Sequence, residues 1–160
     1  MMRKWNKKTW LVFVLFCLIL SLLSLYPYWL RGVNLEHDTC FHISRIAALA
    51  QSFRDGDLLP RIFPYQNNGF GYASPLFYSN TFLVLPALCA LAGLSIARCY
   101  QLLLLLCSFF TCFNMGLLMR RVTEKKEAVF LAALLYLLCS YRLTDIYVRG
   151  AVGEVIALTF

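Results

Sequence analysis

Apolar residues gather into four long segments that are separated by shorter polar stretches. The segments cover residues 10–30, 76–96, 100–119 and 128–145. A helix needs about 20 predominantly apolar residues to cross the hydrocarbon core of a bilayer, and the segments approach or reach this length. The pattern predicts an all-α integral membrane protein with about three transmembrane helices. Residues 151–160 begin a further apolar helix, so we expect the sequence to be the N-terminal part of a longer membrane protein.

The segment at residues 76–96 is interrupted by Asn80, Pro86 and Gly93. It either crosses the membrane or forms a re-entrant or interfacial helix. Positive charges favour the second alternative, because cytoplasmic loops of membrane proteins carry an excess of Lys and Arg. Four cations precede residue 10 and four follow residue 119, namely Arg3, Lys4, Lys7, Lys8, Arg120, Arg121, Lys125 and Lys126. Both clusters are cytoplasmic if residues 76–96 do not cross, and residues 31–75 then form an extracytoplasmic loop.

The composition agrees with insertion into a membrane. Hydrophobic residues make up 61% of the chain and charged residues 14%, whereas soluble domains carry about 25% charged residues. The 160 residues leave room for one membrane domain. The net charge of +7 does not indicate a nucleic-acid partner, because the cations flank apolar segments and form no basic stripe. The seven cysteines include no CxxC pair, so neither a disulfide framework nor a zinc site is expected.

The polar stretch at residues 36–45 brings acids, histidines and an arginine together. Asp38, His42 and Arg45 are spaced at i, i+4 and i+7, which places them on one helical face. Apolar residues are expected on the opposite face, namely Ile43, Ile46, Ala47, Ala50 and Phe53. The spacing predicts an amphipathic helix over residues 39–54 that lies against a membrane or a helical core. Asp38 is the N-cap of this helix, a general base or metal ligand, or both, because a capping carboxylate is also held in position.

Two other polar regions are candidate parts of a site. In the loop that follows the amphipathic helix, glycines alternate with Phe70 and Tyr72, which indicates either a shaped loop with rings for stacking or a connector anchored at the interface. Ionisable residues also close the last apolar segment, namely Arg142, Asp145, Arg149 and Glu154. Under the predicted topology Asp145, Arg149 and Glu154 share the extracytoplasmic side with Asp38 and are expected to meet it in one pocket. Alternatively, the arginines extend to the interface and Asp145 pairs with one of them.

Four short motifs lie beyond the first apolar segment. They are HDTxFHxxRI at residues 37–46, GDLLPR at residues 56–61, GFGYxxPLF at residues 69–77 and YVRGAVGE at residues 147–154. Together they resemble bacterial polytopic membrane proteins that carry the 6-pyruvoyl-tetrahydropterin synthase-related domain. The order of elements is similar to that of the GT-C glycosyltransferases, including oligosaccharyltransferase catalytic subunits and protein mannosyltransferases. In those enzymes a first span leads into an outward loop with an essential acid, and a later loop supplies a second acidic group.

The resemblance implies a glycosyltransferase that uses a polyprenyl-phosphate sugar on the outer face of the bacterial cytoplasmic membrane. Asp38 would be the general base, and Glu154 or Asp145 would be the second acid. His37 or His42 would orient Asp38 or shuttle a proton. The substrate-binding residues would be His42, Arg45, Arg61, Tyr72 and Arg149. A divalent cation is possible, although one His37-Asp38 pair replaces the family's two-acid motif. The alternative is a non-catalytic membrane protein that binds a lipid carrier or an envelope polymer. A transporter fits less well, because the predicted spans contain few polar residues.

Overall fold

A computed structural model describes residues 5–35 and 37–160 of the chain. These residues form eight α-helices, namely α1 Lys7–Ser24, α2 Tyr26–Arg31, α3 Asp38–Arg54, α4 Val84–Leu91, α5 Ile96–Val122, α6 Lys126–Leu137, α7 Ser140–Thr144 and α8 Val152–Ala157. Short 3-10 turns lie at Asn67–Gly69, Ser74–Leu76 and Thr81–Leu83, and a π turn lies at Asp145–Arg149. In the described residues there is no strand, only an isolated bridge between Phe63 and Tyr72. The all-α prediction is confirmed for this part of the chain.

The chain divides into two compact units. The first unit comprises Met1–His37 and Leu104–Phe160, and the second comprises Asp38–Leu103. The predicted N-terminal cations Arg3 and Lys4 and the predicted polar residue Glu36 lie outside the described residues. The first unit contains α1, α2, most of α5, and α6 to α8, whereas the second contains α3, α4 and the loop between them.

Three stretches of helix among the described residues are long and apolar enough to cross a membrane. They are Lys7–Ser24, Ile96–Val122 and Lys126–Arg149. The last stretch joins α6, α7 and the π turn, with a break between Leu137 and Ser140. The number of candidate spans agrees with the sequence prediction of about three, and the predicted segments at residues 100–119 and 128–145 lie within the second and third.

The sequence predicts one continuous apolar segment at residues 10–30, whereas the structure has two helices there. The helix α1 ends at Ser24, and α2 begins at Tyr26. Pro27 explains the break, because proline has no backbone N–H and its ring collides with the carbonyl of the residue four positions earlier in a continuous helix. Hydrophobicity alone does not reveal this break.

The interrupted segment at residues 76–96 forms only a short helix. Its continuous helical part is Thr81–Leu91, which combines a 3-10 turn with α4. At about 1.5 Å per residue such a helix is roughly half as long as the hydrocarbon core is thick. Gly93, with φ +98°, follows the end of α4 in a backbone conformation that favours glycine. This length is compatible with the re-entrant or interfacial helix, whose position in a bilayer stays a prediction.

The first unit has a core in which α1 packs against α5 and α6. Its buried members are Phe13, Cys17, Cys112, Val129, Ala133 and Leu137. Gly116 of α5 is essential to this packing, because a Cβ atom at that position would lie only 2.1 Å from Cζ of Phe13. The ring of Phe13 therefore occupies the space that any other residue at position 116 would fill.

Hydrogen bonds also connect α2 to the π turn within the first unit. The Tyr28 hydroxyl donates to the carbonyl of Ile146 at 2.6 Å, and the Tyr147 hydroxyl donates to the carbonyl of Ser24. The two tyrosine rings lie against each other, with centroids 4.8 Å apart. The break after Ser24 thus leaves a helix-terminal carbonyl that a distant side chain satisfies.

Candidate functional site

The helix α3 begins at Asp38, one residue before the predicted start. Asp38 is exposed, and the preceding residue His37 is exposed and has φ +45°. Left-handed backbone at a residue other than glycine costs on the order of 1–3 kcal/mol and is concentrated at functional sites. The negative charge of Asp38 is favourably located in the first turn of α3, at the positive end of the helix dipole. The predicted catalytic residue Asp38 therefore has an accessible carboxylate, and the predicted catalytic residue His37, which precedes it, has a strained backbone conformation.

Ile46 and Ala50 of the predicted apolar face of α3 are buried as expected, but the face that carries His42 and Arg45 is also buried, which the predicted amphipathic arrangement did not include. His42 is 7% exposed and Arg45 is 3% exposed, together with the apolar Ile46 and Leu49. Ala47, which was expected on the buried apolar face, is exposed. A polar side chain such as Arg45 can be buried where hydrogen-bond partners in the protein replace water.

Arg45 finds those partners in the segment before α4. Its Nη2 atom donates to the carbonyls of Tyr78 and Ser79 and to Oδ1 of Asn80, each at 2.9 Å. The guanidinium carbon lies 5.3 Å from the ring centroid of Phe41 and 5.4 Å from that of Tyr78. Burial lowers the pKa of Arg45, but an arginine in a protein remains charged. Arg45 fastens the segment before α4 to α3, and this geometry favours a structural role over the predicted role in substrate binding.

Replacing Arg45 by lysine is therefore expected to destabilise the second unit by about 2 kcal/mol. An ammonium group cannot donate to the same acceptors while also stacking on both rings. Thermal unfolding of the full-length protein in detergent measures the effect. The control is Arg61→Lys, because Arg61 is exposed and its replacement should stay within about 0.5 kcal/mol of the wild type. Equal stability of the two variants would contradict the structural role.

His42 is held neutral by its surroundings. Burial and the positive charge of Arg45 lower its pKa to about 4, and the carboxylate of Asp38 opposes this shift. Its Nδ1 atom is buried and has no hydrogen-bond partner among the described residues. A base with a pKa near 4 accepts protons poorly at neutral pH, since general bases work best when their pKa lies near the operating pH. The geometry therefore favours a positioning or structural role for His42 over proton shuttling.

The lowered pKa of His42 predicts a pH-dependent stability. Between pH 6.5 and about 4 the unfolded chain protonates this histidine while the native protein keeps it neutral, so the unfolded state binds more protons. Lowering the pH through this window should reduce the free energy of unfolding by up to about 3 kcal/mol. Unfolding of wild type and His42→Gln between pH 4 and pH 7 isolates the contribution. The same pH dependence in both proteins would contradict it.

The loop after α3 has a defined shape. Phe63 and Tyr72 exchange backbone hydrogen bonds of 2.9 and 3.0 Å. Gly71 has φ +81°, and a Cβ atom there would lie 3.2 Å from Cγ2 of Ile62. The Tyr72 ring, predicted to bind substrate, is 39% exposed and lies 6.2 Å from the Phe41 ring. Arg61 is exposed and makes no ion pair with a described residue. The second unit therefore presents an aromatic side chain and a cation on a shaped loop.

The polar residues near the chain's end form a network within the first unit. Arg149 donates to Oδ1 of Asp145 at 2.7 Å and to the two carboxylate oxygens of Glu154 at 2.9 and 2.6 Å. The Tyr141 hydroxyl also donates to Glu154. These bonds, above all those from Arg149, lower the pKa of Glu154. Asp145 is fully buried, and its Oδ2 atom has no partner among the described residues.

Arg142 differs from Arg149 because it is buried inside the first unit. Its Nη2 atom donates to Oγ of Ser108 at 2.7 Å, and its Nη1 atom donates to the carbonyl of Leu137 at 3.3 Å. Leu137 ends α6, so the arginine satisfies a carbonyl that the helix leaves unpaired. The alternative in which Arg142 extends to the interface is therefore wrong, whereas the pairing of Asp145 with an arginine is observed.

The predicted site residues are divided between the two units. Asp38, His42, Arg45, Arg61 and Tyr72 belong to the second unit, and His37, Arg149 and Glu154 belong to the first. The pocket that was predicted to join Asp38 with Glu154 stays a prediction from the sequence. The sequence did not identify the contacts that bury Arg45 and Arg142, because the acceptors of Arg45 and the Ser108 hydroxyl that pairs with Arg142 lie 33 to 35 residues away along the chain.

The described residues do not form a donor set suited to a metal ion. No group of three or more His, Cys, Asp or Glu side chains in residues 5–35 and 37–160 could hold one. Both oxygens of Glu154 already accept hydrogen bonds from Arg149. Hard cations such as Ca²⁺ need six or more oxygen ligands, and Mg²⁺ also uses carboxylates together with water. The described residues therefore do not by themselves form a site for the possible divalent cation.

Comparison with known proteins gives one informative similarity. The chain is 24% identical over 152 residues to an uncharacterized protein of Lactococcus lactis subsp. cremoris (strain MG1363). The alignment covers 92% of this chain and 25% of that protein, so the chain spans about a quarter of its relative's length. No protein-family model matches the chain, and no solved structure matches it.

Proposed function

We propose that the chain is inserted into the bacterial cytoplasmic membrane and belongs to a transferase. This enzyme moves a sugar from a polyprenyl-phosphate donor to an acceptor hydroxyl on the outer face. The proposal rests on the resemblance of its motifs to the 6-pyruvoyl-tetrahydropterin synthase-related and GT-C proteins. Among the structural observations, the accessible Asp38 at the start of α3 carries it.

Exposed apolar side chains support the membrane part of the proposal. They occur along all three candidate spans, as in Leu11, Ile19, Leu23, Leu118, Leu131 and Leu135. Soluble monomers rarely expose large contiguous apolar surfaces, and transfer of such surface from water to lipid is favourable by about 25 cal/mol for each square ångström. A bilayer supplies the apolar surroundings that these helices lack within the chain.

Asp38 has the chemical properties that the transfer requires. The hydroxyl proton of the acceptor passes to a carboxylate oxygen of Asp38 while the acceptor oxygen forms a bond to the anomeric carbon of the sugar. The bond between that carbon and the donor phosphate oxygen breaks, and polyprenyl phosphate leaves with the electron pair. The exposed guanidinium of Arg61 is suited to the phosphate because a planar guanidinium binds two phosphate oxygens at once.

The aromatic residues near Asp38 provide surfaces for a sugar ring. Phe41 follows Asp38 by one helical turn, and its ring lies 5.2 Å from the ring of Tyr78. Tyr72 completes this group and is partly accessible. Aromatic faces pack against apolar surface, and tyrosine also offers a hydroxyl for hydrogen bonding. In the proposed reaction these rings hold the sugar while Asp38 activates the acceptor.

One observation favours the non-catalytic alternative, in which the chain only binds a lipid carrier. A cavity of about 320 Å³ lies between α3 and the following loop. Its walls are formed by uncharged residues, namely Ser44, Ala47, Ala48, Gln51, Phe63, Pro64, Tyr65 and Gln66. This volume is at the lower end of the range of known ligand sites. A carrier chain bound there would require no reaction.

Analysis of lipids from a deletion strain distinguishes transfer from binding. Loss of a transferase should cause the polyprenyl-phosphate sugar to accumulate and its glycosylated product to disappear. Reintroducing the full-length gene should return the donor and the product to their wild-type levels. Mass spectrometry of lipid and envelope extracts measures the two species. Unchanged levels of donor and product in the deletion strain would refute the transferase and leave the binding function.

A further inference from the structure

Three helix termini meet at one end of the first unit. Trp5, which precedes α1, stacks on Phe130 of α6 with ring centroids 6.1 Å apart. Lys126 Nζ donates to Oγ1 of Thr9 at 3.4 Å, which also connects the start of α6 to the start of α1. Only a short turn separates the end of α5 from the start of α6. The start of α1, the end of α5 and the start of α6 therefore share one surface.

Arg120 and two tryptophans stabilise this arrangement. The guanidinium carbon of Arg120 lies 4.5 Å from the ring centroid of Trp5 and 4.4 Å from that of Trp10. Such cation–π contacts are attractive, and tryptophan is the aromatic residue that forms the strongest ones. Arg120 is thus engaged in packing the end of α5 against the start of α1. The other cations at this end that the structure describes are exposed.

The exposed cations define what is here called the basic surface. It consists of Lys7, Lys8, Arg121, Lys125 and Lys126. The exposed acids beside them, within the described residues, are Glu124 and Glu127. The five cations outnumber these two acids, so the surface carries a net positive charge. Neither acid forms an ion pair with a described residue.

Local helix stability does not explain the four lysines of the basic surface, whereas Arg121 is favourably located in the last turn of α5. Lys7 and Lys8 begin α1, Lys125 is the N-cap of α6, and Lys126 is its first residue. The N-terminus of a helix carries a partial positive charge, so cations there are unfavourable. A sequence that departs from a local preference at four positions on one surface indicates a compensating interaction. An anionic partner would provide it.

We infer that the basic surface binds the phosphate group of an anionic phospholipid. The cations adjoin the ends of three apolar helices, and Trp5 and Trp10 lie beside them, as indole rings do at the boundary between lipid and water. Anionic headgroups attract cations next to membrane helices, and each cation contributes about fivefold to the affinity. The inference rests on the proposed membrane insertion but is independent of the transferase activity.

Tryptophan fluorescence of the full-length protein in neutral detergent tests the inference, because Trp5 and Trp10 adjoin the basic surface. Short-chain phosphatidylglycerol should produce a saturable change that added salt weakens, whereas phosphatidylcholine and inorganic phosphate should not. In Arg121→Gln/Lys125→Gln the apparent affinity for phosphatidylglycerol should fall about 30-fold. The matched control Arg31→Gln/Arg54→Gln removes two exposed cations elsewhere and should change the affinity less than twofold.

A second variant separates binding from folding. Lys7→Gln/Lys8→Gln removes unfavourable charges from the start of α1, so the protein in neutral detergent should be at least as stable as the wild type. It should nevertheless bind phosphatidylglycerol about 30-fold more weakly. Equal losses of affinity in the basic-surface and control variants, or an equal response to phosphatidylcholine or inorganic phosphate, would overturn the inference. These outcomes leave the transferase proposal intact, because no sugar transfer is measured.

Discussion

Replacing Asp38 by asparagine is expected to reduce sugar transfer by about 10²–10⁴-fold, the usual contribution of a general base. The asparagine amide has nearly the same shape but cannot take the proton of the acceptor hydroxyl. Asp38 is exposed, so the substitution should change the free energy of unfolding by less than about 0.5 kcal/mol. The measurement is the initial rate of transfer by the full-length protein in vesicles that contain the lipid-linked donor.

A carboxylate elsewhere in the second unit provides the control. Asp55 is exposed beyond the end of α3, where it accepts a hydrogen bond from Gln51 at 2.9 Å. Asp55→Asn should retain nearly all activity, because that carboxylate has no part in the proposed reaction. If Asp38→Asn transferred sugar as fast as Asp55→Asn and the wild type, Asp38 would not be the base.

Among the substitutions, enlarging Gly116 to leucine is expected to destabilise the protein most. A Cβ atom at this position would approach Cζ of Phe13 to 2.1 Å, and Phe13 is fully buried. Alanine improves the intrinsic helix propensity by about 1 kcal/mol, but overpacking of a well-packed core costs about 1–3 kcal/mol and occasionally more. Because the contact is so short, we expect overpacking to dominate, with a net loss of about 2 kcal/mol for Gly116→Ala and a larger loss for Gly116→Leu.

Gly153 is the matched control for this prediction. It lies in α8, is exposed, and a Cβ atom there would have no neighbour within 4 Å. Gly153→Ala should therefore stabilise the protein slightly through helix propensity. Thermal unfolding in detergent compares the variants. The double variant Phe13→Leu/Gly116→Ala should recover part of the lost stability, because the smaller side chain frees the space that the new Cβ atom needs. A stabilising effect of Gly116→Ala alone would contradict the packing.

The fold was predicted where one local signal dominates. Long apolar segments indicated the three candidate spans. The helical spacing of polar and apolar residues after Asp38 indicated α3, with a predicted start one residue from the observed one. The breaks inside the spans were not predicted from hydrophobicity. Pro27 was a readable signal for the first break. At the second break, Arg142 donates to the carbonyl of Leu137 at the end of α6, a contact that the hydrophobicity of the segment does not indicate.

The candidate site was predicted less completely, because burial depends on partners that are distant in sequence. The spacing of His42 and Arg45 correctly assigned them to one helical face but gave the wrong environment for that face. The acceptors of Arg45 lie 33 to 35 residues further along the chain. One of them is Asn80, which the sequence pattern had identified only as an interruption. A polar residue within an apolar segment can thus be the partner of a buried cation.

Four of the polar residues illustrate two different uses. Arg45 and Arg142 are buried and satisfy carbonyl or hydroxyl oxygens, so their removal would leave acceptors unpaired. Asp38 and Arg61 are exposed, and their charges are accessible to a substrate. The proposed chemistry depends on the second group, and the stability of the units that present it depends on the first.

Labelling with a membrane-impermeant maleimide tests most directly whether Asp38 works on the outer face. Cys40 follows Asp38 by two residues and is exposed, so the wild-type chain carries its own reporter. In right-side-out vesicles we expect labelling of wild type above the level in Cys40→Ser, whereas Cys40→Ser/Glu124→Cys should react at position 124 only after permeabilisation. Protection of Cys40 until the membrane is permeabilised would rule out an outer-face site at Asp38, because the carboxylate would then face the cytoplasm.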